Sequence, residues 1–136
     1  MTAPVVCDAS AVVALLVDAG PDGRWVAAAV RDATLVAPYL LPFEVANVLR
    51  RLERSGLISS DTAAQAHFDL LDLAVELWPY DAVAARGWQL RANLTSYDAS
   101  YIAVAEAAGA PLVTLDRRLA HATGITCRTA APEERG

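Results

Sequence analysis

Thr95-Ser96-Tyr97-Asp98-Ala99-Ser100-Tyr101-Ile102-Ala103-Val104-Ala105-Glu106, followed shortly by Pro111-Leu112-Val113-Thr114-Leu115-Asp116, is the stretch that decides the fold. The first part predicts a helix that opens on an acid, capped by Thr95 or Ser96. The second predicts a short buried strand that ends on another acid. Near the start of the chain the same grammar recurs: Val5-Val6-Cys7 is a short apolar run, Asp8 closes it, and the apolar residues from Ala9 to Val17 follow. Strand, acid, helix is the repeated unit.

Between these two units lie further alternating elements. Gly20-Pro21-Asp22-Gly23 reads as a turn cluster before a helix carrying Trp25, Val26 and Val30, and Leu35-Val36-Ala37 as a second strand closed by Pro38. Pro42 suits the first turn of a helix that runs through Glu44, Val45, Val48, Leu49 and Leu52 and stops at Gly56. Ser60 is placed to cap the next helix, with Ala64, Phe68 and Leu71; Val75-Glu76-Leu77-Trp78 reads as a third strand ended by Pro79. Asp81 opens a helix through Val83, Trp88 and Leu90, Asp116 to His121 forms a helical turn, and Ile125-Thr126-Cys127 is the expected fifth strand.

Short strands alternating with helices imply βαβ crossovers, hence an α/β fold with a mainly parallel sheet covered on both faces. In such sheets sites form outside the carboxyl ends of the strands, where strand order reverses. Asp8 and Asp116 both follow strands at that edge. If the first and fourth strands are neighbours, the two acids face each other.

The chain of 136 residues suits one compact domain, 1–129, with a polar tail, 130–136. Its apolar run from Ala11 to Val17 is far shorter than the about 20 residues that span a bilayer, and Asp8 interrupts an N-terminus that lacks a positive leader, so the expected location is cytoplasmic, with no membrane partner. Cys7 and Cys127 fall in expected strands and read as reduced, packed thiols. The formal net charge of −5 argues against a broad basic nucleic-acid surface. All 11 basic residues are arginine, which removes phosphate-loop NTPases and phospho-acceptor receivers, since both need a lysine.

Taken singly, each acid has a local explanation: Asp8 and Asp116 as N-caps, Glu44 on a first-turn dipole, Asp98 in a capping arrangement with Thr95. Magnitudes separate the readings only if the acids converge. A helix dipole stabilises a carboxylate by roughly 0.3–1 kcal/mol, whereas two like charges about 4 Å apart repel by roughly 4 kcal/mol at an effective dielectric near 20. A converged cluster therefore needs protons or a divalent cation, and hard oxygen ligands suit Mg²⁺ or Mn²⁺. Ser10, two residues after Asp8, and Thr114, two before Asp116, are close enough to orient a ligating carboxylate, or else serve as a local cap and a strand residue. Asn47 and Arg51 share the Glu44 helix face, and Arg51 is a candidate phosphate contact. His67 and His121 have no nucleophile beside them.

The motifs Val-Val-Cys-Asp8-Ala-Ser10, Pro-Phe-Glu44-Val-Ala-Asn47-Val-Leu, Tyr97-Asp98-Ala-Ser-Tyr-Ile-Ala-Val-Ala-Glu and Leu-Val-Thr114-Leu-Asp116-Arg-Arg-Leu resemble, in this order and spacing, the PIN-domain nucleases, and within them the VapC-type toxins of bacterial toxin–antitoxin pairs. The resemblance covers the chain from Val5 to about Thr126. It implies a three-layer α/β/α fold with a five-stranded, mainly parallel sheet, and an acidic quartet of Asp8, Glu44, Asp98 and Asp116 around Mg²⁺ or Mn²⁺. It further implies endoribonuclease activity on structured RNA such as tRNA or rRNA, a homodimer, and silencing by a VapB-like antitoxin that packs into the active-site groove. The helices around Trp25 and around 49–57 are the candidate antitoxin surfaces, although core packing explains them equally well.

Two rivals stand beside this reading. One is a non-catalytic PIN-like module that binds RNA or protein; all four acids being present weighs against it. The other is a haloacid-type phosphatase, which needs an Asp where Ser10 stands and a lysine that the chain lacks.

Overall fold

The computed structural model describes residues 2–133. The elements follow in the order β1 (Pro4–Cys7), α1 (Ala9–Val17), α2 (Pro21–Ala29), β2 (Thr34–Pro38), α3 (Leu40–Arg54), α4 (Ser60–Asp72), β3 (Val75–Trp78), α5 (Tyr80–Gln89), α6 (Ser96–Ala108), β4 (Leu112–Val113), α7 (Arg117–Ala120) and β5 (Thr129–Ala130). The five strands lie in the order β3-β2-β1-β4-β5, every pair parallel. β1 therefore sits between β2 and β4, and the chain reverses direction of sheet growth there. Consecutive residues of β1 and β2 are buried whichever way they point, which requires cover on both faces, the three-layer α/β/α arrangement.

Local chemistry accounts for most element ends. Thr95 Oγ1 accepts from Asp98 N at 3.1 Å to open α6, and Gly109, in the left-handed region at φ 63°, closes it. Gly56 does the same after α3 at φ 78°. α6 is buried from Ala99 through Ala105, so it is enclosed on all sides and is the central helix of the core.

Four details differ from the sequence expectation. Pro21, Asp22 and Gly23 belong to α2 itself, with Gly20 as N-cap and Pro21 in the first turn. Gly23 is needed there for space, since a Cβ would sit 1.7 Å from the Asp18 carbonyl oxygen. Ser59, not Ser60, caps α4, accepting from Thr62 N at 3.1 Å. The fifth strand is Thr129–Ala130 rather than Ile125-Thr126-Cys127, because β4 pairs with the later backbone: Leu112 N donates to Arg128 O at 2.9 Å and Thr114 N to Ala130 O at 3.0 Å. Cys127 accordingly lies half-buried outside a strand, whereas Cys7 is buried in β1. Of the polar tail, 134–136 lie outside the described residues.

Candidate active site

Asp8 stands at the end of β1 and caps α1, accepting from Ala11 N at 3.0 Å. Two hydroxyls complete its shell: Ser10 donates to Oδ1 and Thr114 to Oδ2, both at 2.6 Å. Those hydroxyls are held in turn, because Ser10 Oγ accepts from Leu115 N at 3.0 Å and Thr114 Oγ1 from Asp116 N at 2.9 Å. The network crosses from β1 to the end of β4, so the pairing of these strands builds it. Asp8 is only 6% exposed. Burial pushes its carboxyl above the ordinary range, the three hydrogen bonds pull it back, and the charge of Asp116 adds to the rise.

Glu44, in the second turn of α3, accepts from the Tyr101 hydroxyl at 2.6 Å. Its carboxyl is also raised, first by burial and then by Asp98 and Asp8, while the Tyr101 hydrogen bond and the Arg51 charge oppose the rise. Tyr101 is fully buried, and burial together with Glu44, Asp8 and Asp98 holds its phenol firmly protonated. The Cys7 thiol is pushed up to about 12, by burial and then by Asp8, which makes it inert.

Asp98, in the first turn of α6, and Asp116, the N-cap of α7, stand on the outer side of the candidate site. Asp116 Oδ1 accepts from Arg118 N at 3.0 Å and Leu119 N at 3.3 Å, so it caps α7 from within the candidate site. The Arg118 guanidinium bridges the two acids, 2.8 Å from Asp98 Oδ2 and 3.4 Å from Asp116 Oδ2.

Asp8 therefore lies in the field of Asp116, and Glu44 in those of Asp98 and Asp8, although among the described residues no three His, Cys, Asp or Glu side chains are close enough together to hold a metal ion. Each carboxylate is turned to a protein donor instead: hydroxyls at Asp8, the phenol at Glu44, the guanidinium at Asp98 and Asp116. The donor set is oxygen throughout and strongly anionic, which fits a hard divalent cation such as Mg²⁺ or Mn²⁺.

Of the supporting residues read from sequence, Ser10 and Thr114 bind Asp8 directly. Arg51 is exposed yet near enough to favour ionised Glu44, and Asn47 is exposed one turn beyond Glu44. Sequence reasoning missed Tyr101 and Arg118. Tyr101 follows Asp98 by three positions and so shares its helix face, a signal that was there to be used. Arg118 had no such pattern, since its role depends on where Asp98 arrives. Of the candidate antitoxin surfaces, Leu49 is buried, Trp25 half-buried and Leu57 exposed.

A parallel α/β domain with acids gathered at the strand reversal is the class that fold and site define. The PIN domain family model matches residues 5–125. Ribonuclease VapC9 of Mycobacterium tuberculosis is 39% identical over 123 residues, covering 90% of this chain and 94% of that protein. Ribonuclease VapC12 of the same species is 38% identical over 120 residues, with 88% and 92% covered. The crystal structure of PAE2754 from Pyrobaculum aerophilum superposes with a TM-score of 0.62 at 30% identity, covering 88% of this chain and 85% of that one. That of M. tuberculosis VapC20, a sarcin-ricin loop cleaving toxin, shares the fold with a TM-score of 0.61 at 16% identity over 90% and 96%. The chain belongs to the PIN-domain family, and within it to the VapC ribonucleases.

Proposed function

We propose that this protein is an Mg²⁺- or Mn²⁺-dependent endoribonuclease toxin that hydrolyses phosphodiester bonds in structured RNA such as tRNA or rRNA. The observation that carries the reading is the Asp8 carboxylate, buried across the β1–β4 junction and held by two hydroxyls within the fields of Glu44 and Asp116. Relatives 38–39% identical over nearly their whole length are named ribonucleases, which supports it.

Asp8, Glu44, Asp98 and Asp116 are the residues that would hold the cation. When bound there, it offsets their mutual repulsion and supplies the Lewis acidity for water attack on phosphorus. The chain's own groups prepare the site. Ser10 and Thr114 fix both oxygens of Asp8, and Tyr101 fixes one oxygen of Glu44. Arg51 and the exposed Arg118 place positive charge at the rim, where a phosphate backbone is received.

A homodimer and a VapB-like antitoxin that fills the groove complete the proposal, in the cytoplasm; no helix among the described residues is long and apolar enough to cross a membrane. The test is incubation of purified protein with total RNA in Mg²⁺, in Mn²⁺ and in chelator, followed by mapping of the ends. Products with 5′-phosphate and 3′-hydroxyl ends, absent in chelator, are expected. A 2′,3′-cyclic phosphate, or full cleavage in chelator, would count against it.

A further inference from the structure

Beside the acids, at the same edge of the sheet, lies a cavity of about 170 Å³ walled by Tyr39, Trp78, Tyr80 and Tyr97 over the buried Val83. It is smaller than the ~300–1,000 Å³ clefts that take drug-sized ligands and is of a size for one flat ring system. Tyr39 N donates to Trp78 O at 2.8 Å, which locks the two strand ends that form one side. Tyr39, Tyr80 and Tyr97 are 55%, 66% and 62% exposed, half of the six strongly exposed aromatic side chains among the described residues.

Position and charge say what the cavity takes. Tyr97 immediately precedes Asp98 at the start of α6, and Tyr39 immediately precedes α3, which carries Glu44, so the cavity and the acids share two helix starts. No charged residue lines it, and the polar groups at its edge are hydroxyls; that of Ser100 is already donated to Tyr97 O at 2.6 Å. A nucleotide has one part of each kind, an anionic phosphate and a neutral flat base. The chain also carries a net charge of −5, so counterion release from a broad basic face contributes little to holding RNA. Aromatic stacking supplies affinity without charge and tolerates any base.

We infer that the Tyr39, Trp78, Tyr80 and Tyr97 cavity binds an unpaired nucleobase next to the phosphate that is cut. The inference rests on the nuclease reading, and it assigns the cavity to RNA rather than to a side chain of a protein partner. It makes the enzyme require a nucleotide that can leave its stack, in a loop, bulge or single strand.

The probe is a short single-stranded oligoribonucleotide carrying 2-aminopurine, bound in Mg²⁺ to the Asp8→Asn protein so that it stays intact. Its fluorescence is expected to be quenched on binding. Tyr80→Ala and Tyr97→Ala should each weaken binding about tenfold, while Tyr80→Phe, Tyr97→Phe and the control Phe68→Ala on α4 should stay within about twofold. With an oligoribonucleotide abasic throughout, its binding followed by calorimetry, the two alanine variants should cost nothing further. Equal losses on abasic RNA, or no loss on either, would overturn the assignment. So would alanine variants that spare RNA and release only a co-purified antitoxin, since a peptide would then own the cavity. Cleavage of total RNA by the wild-type protein separates the two readings. Base-dependent binding without cleavage sinks the nuclease and keeps the cavity, and metal-dependent cleavage with tyrosine-independent binding does the reverse.

Discussion

The inner and outer halves of the acidic site hold the same charge by opposite means. Asp8 is buried and satisfied by neutral donors that cannot leave, whereas Asp98 and Asp116 share one exposed guanidinium at the end of a flexible side chain. Another carboxylate, Glu106, at the far end of α6, sharpens the contrast. Arg86 clamps it with Nε at 2.6 Å and Nη2 at 3.2 Å, and Thr126 N donates to it at 2.7 Å. Its carboxyl is lowered, first by Arg86, while Asp8 and Glu44 are raised by burial. Glu106 stabilises the fold, whereas the buried carboxyls of Asp8 and Glu44 are costly to ionise.

The sharpest way to break this comparison is Asp8→Asn. Cleavage of RNA should fall by roughly 10²–10³-fold or more, the scale on which loss of one preorganised electrostatic group is felt, while metal-free stability should rise by about 1 kcal/mol as buried charge is removed. The sign in pH follows. A carboxyl whose folded value lies above its ordinary 3.8 contributes stability below that value and loses it as pH rises through the folded one. Thermal melts of wild type in chelator should therefore carry a term that declines above about pH 4, and Asp8→Asn should lack it. An unchanged melting profile would show that Asp8 is not strained.

Thr114→Val comes next. It keeps the shape of a fully buried side chain but strips a donor from Asp8 and an acceptor from Asp116 N. A loss of about 1–3 kcal/mol is expected in denaturant titrations, with cleavage reduced because Asp8 is free to turn. Full activity in this variant would mean that the hydroxyl cage positions nothing.

Glu106→Gln should cost about 1 kcal/mol at neutral pH, modest because Arg86 is partly solvated. Its sign is opposite to that of Asp8: the stabilisation is complete above the ordinary 4.5 and lost as pH falls through the lowered value. RNA cleavage should be unaffected, and a variant that folds but does not cut would extend the site beyond the strand reversal. The smallest effect belongs to Arg118→Gln. Freeing Asp98 and Asp116 of their counterion should tighten Mn²⁺ binding a few-fold in calorimetry, and weaker binding would instead make Arg118 an organiser of the metal site.

Local pattern carried much of this molecule. The apolar runs ending at Asp8, Pro38 and Pro79, the Thr95 cap and the Gly56 stop all depend on neighbours within a turn, and the structure keeps them. β5 was missed because Ile125-Thr126-Cys127 has the better strand composition, while the pairing partner of β4 is chosen by backbone reach from α7. Pro21 misled for a related reason: a proline and two glycines signal a turn, yet one proline fits a first helical turn and Gly23 answers a steric demand set by Asp18.

By itself the sequence determined the repeated strand–acid–helix unit and the parallel α/β class, because caps and periodicity are local properties. Only the tertiary structure decided that β1 lies against β4, that Ser10 and Thr114 close on Asp8, that Tyr101 reaches Glu44, and that Arg118 spans two acids from separate helices. Those facts join positions up to 106 residues apart. They are set by strand order and helix packing, which no short-range pattern encodes.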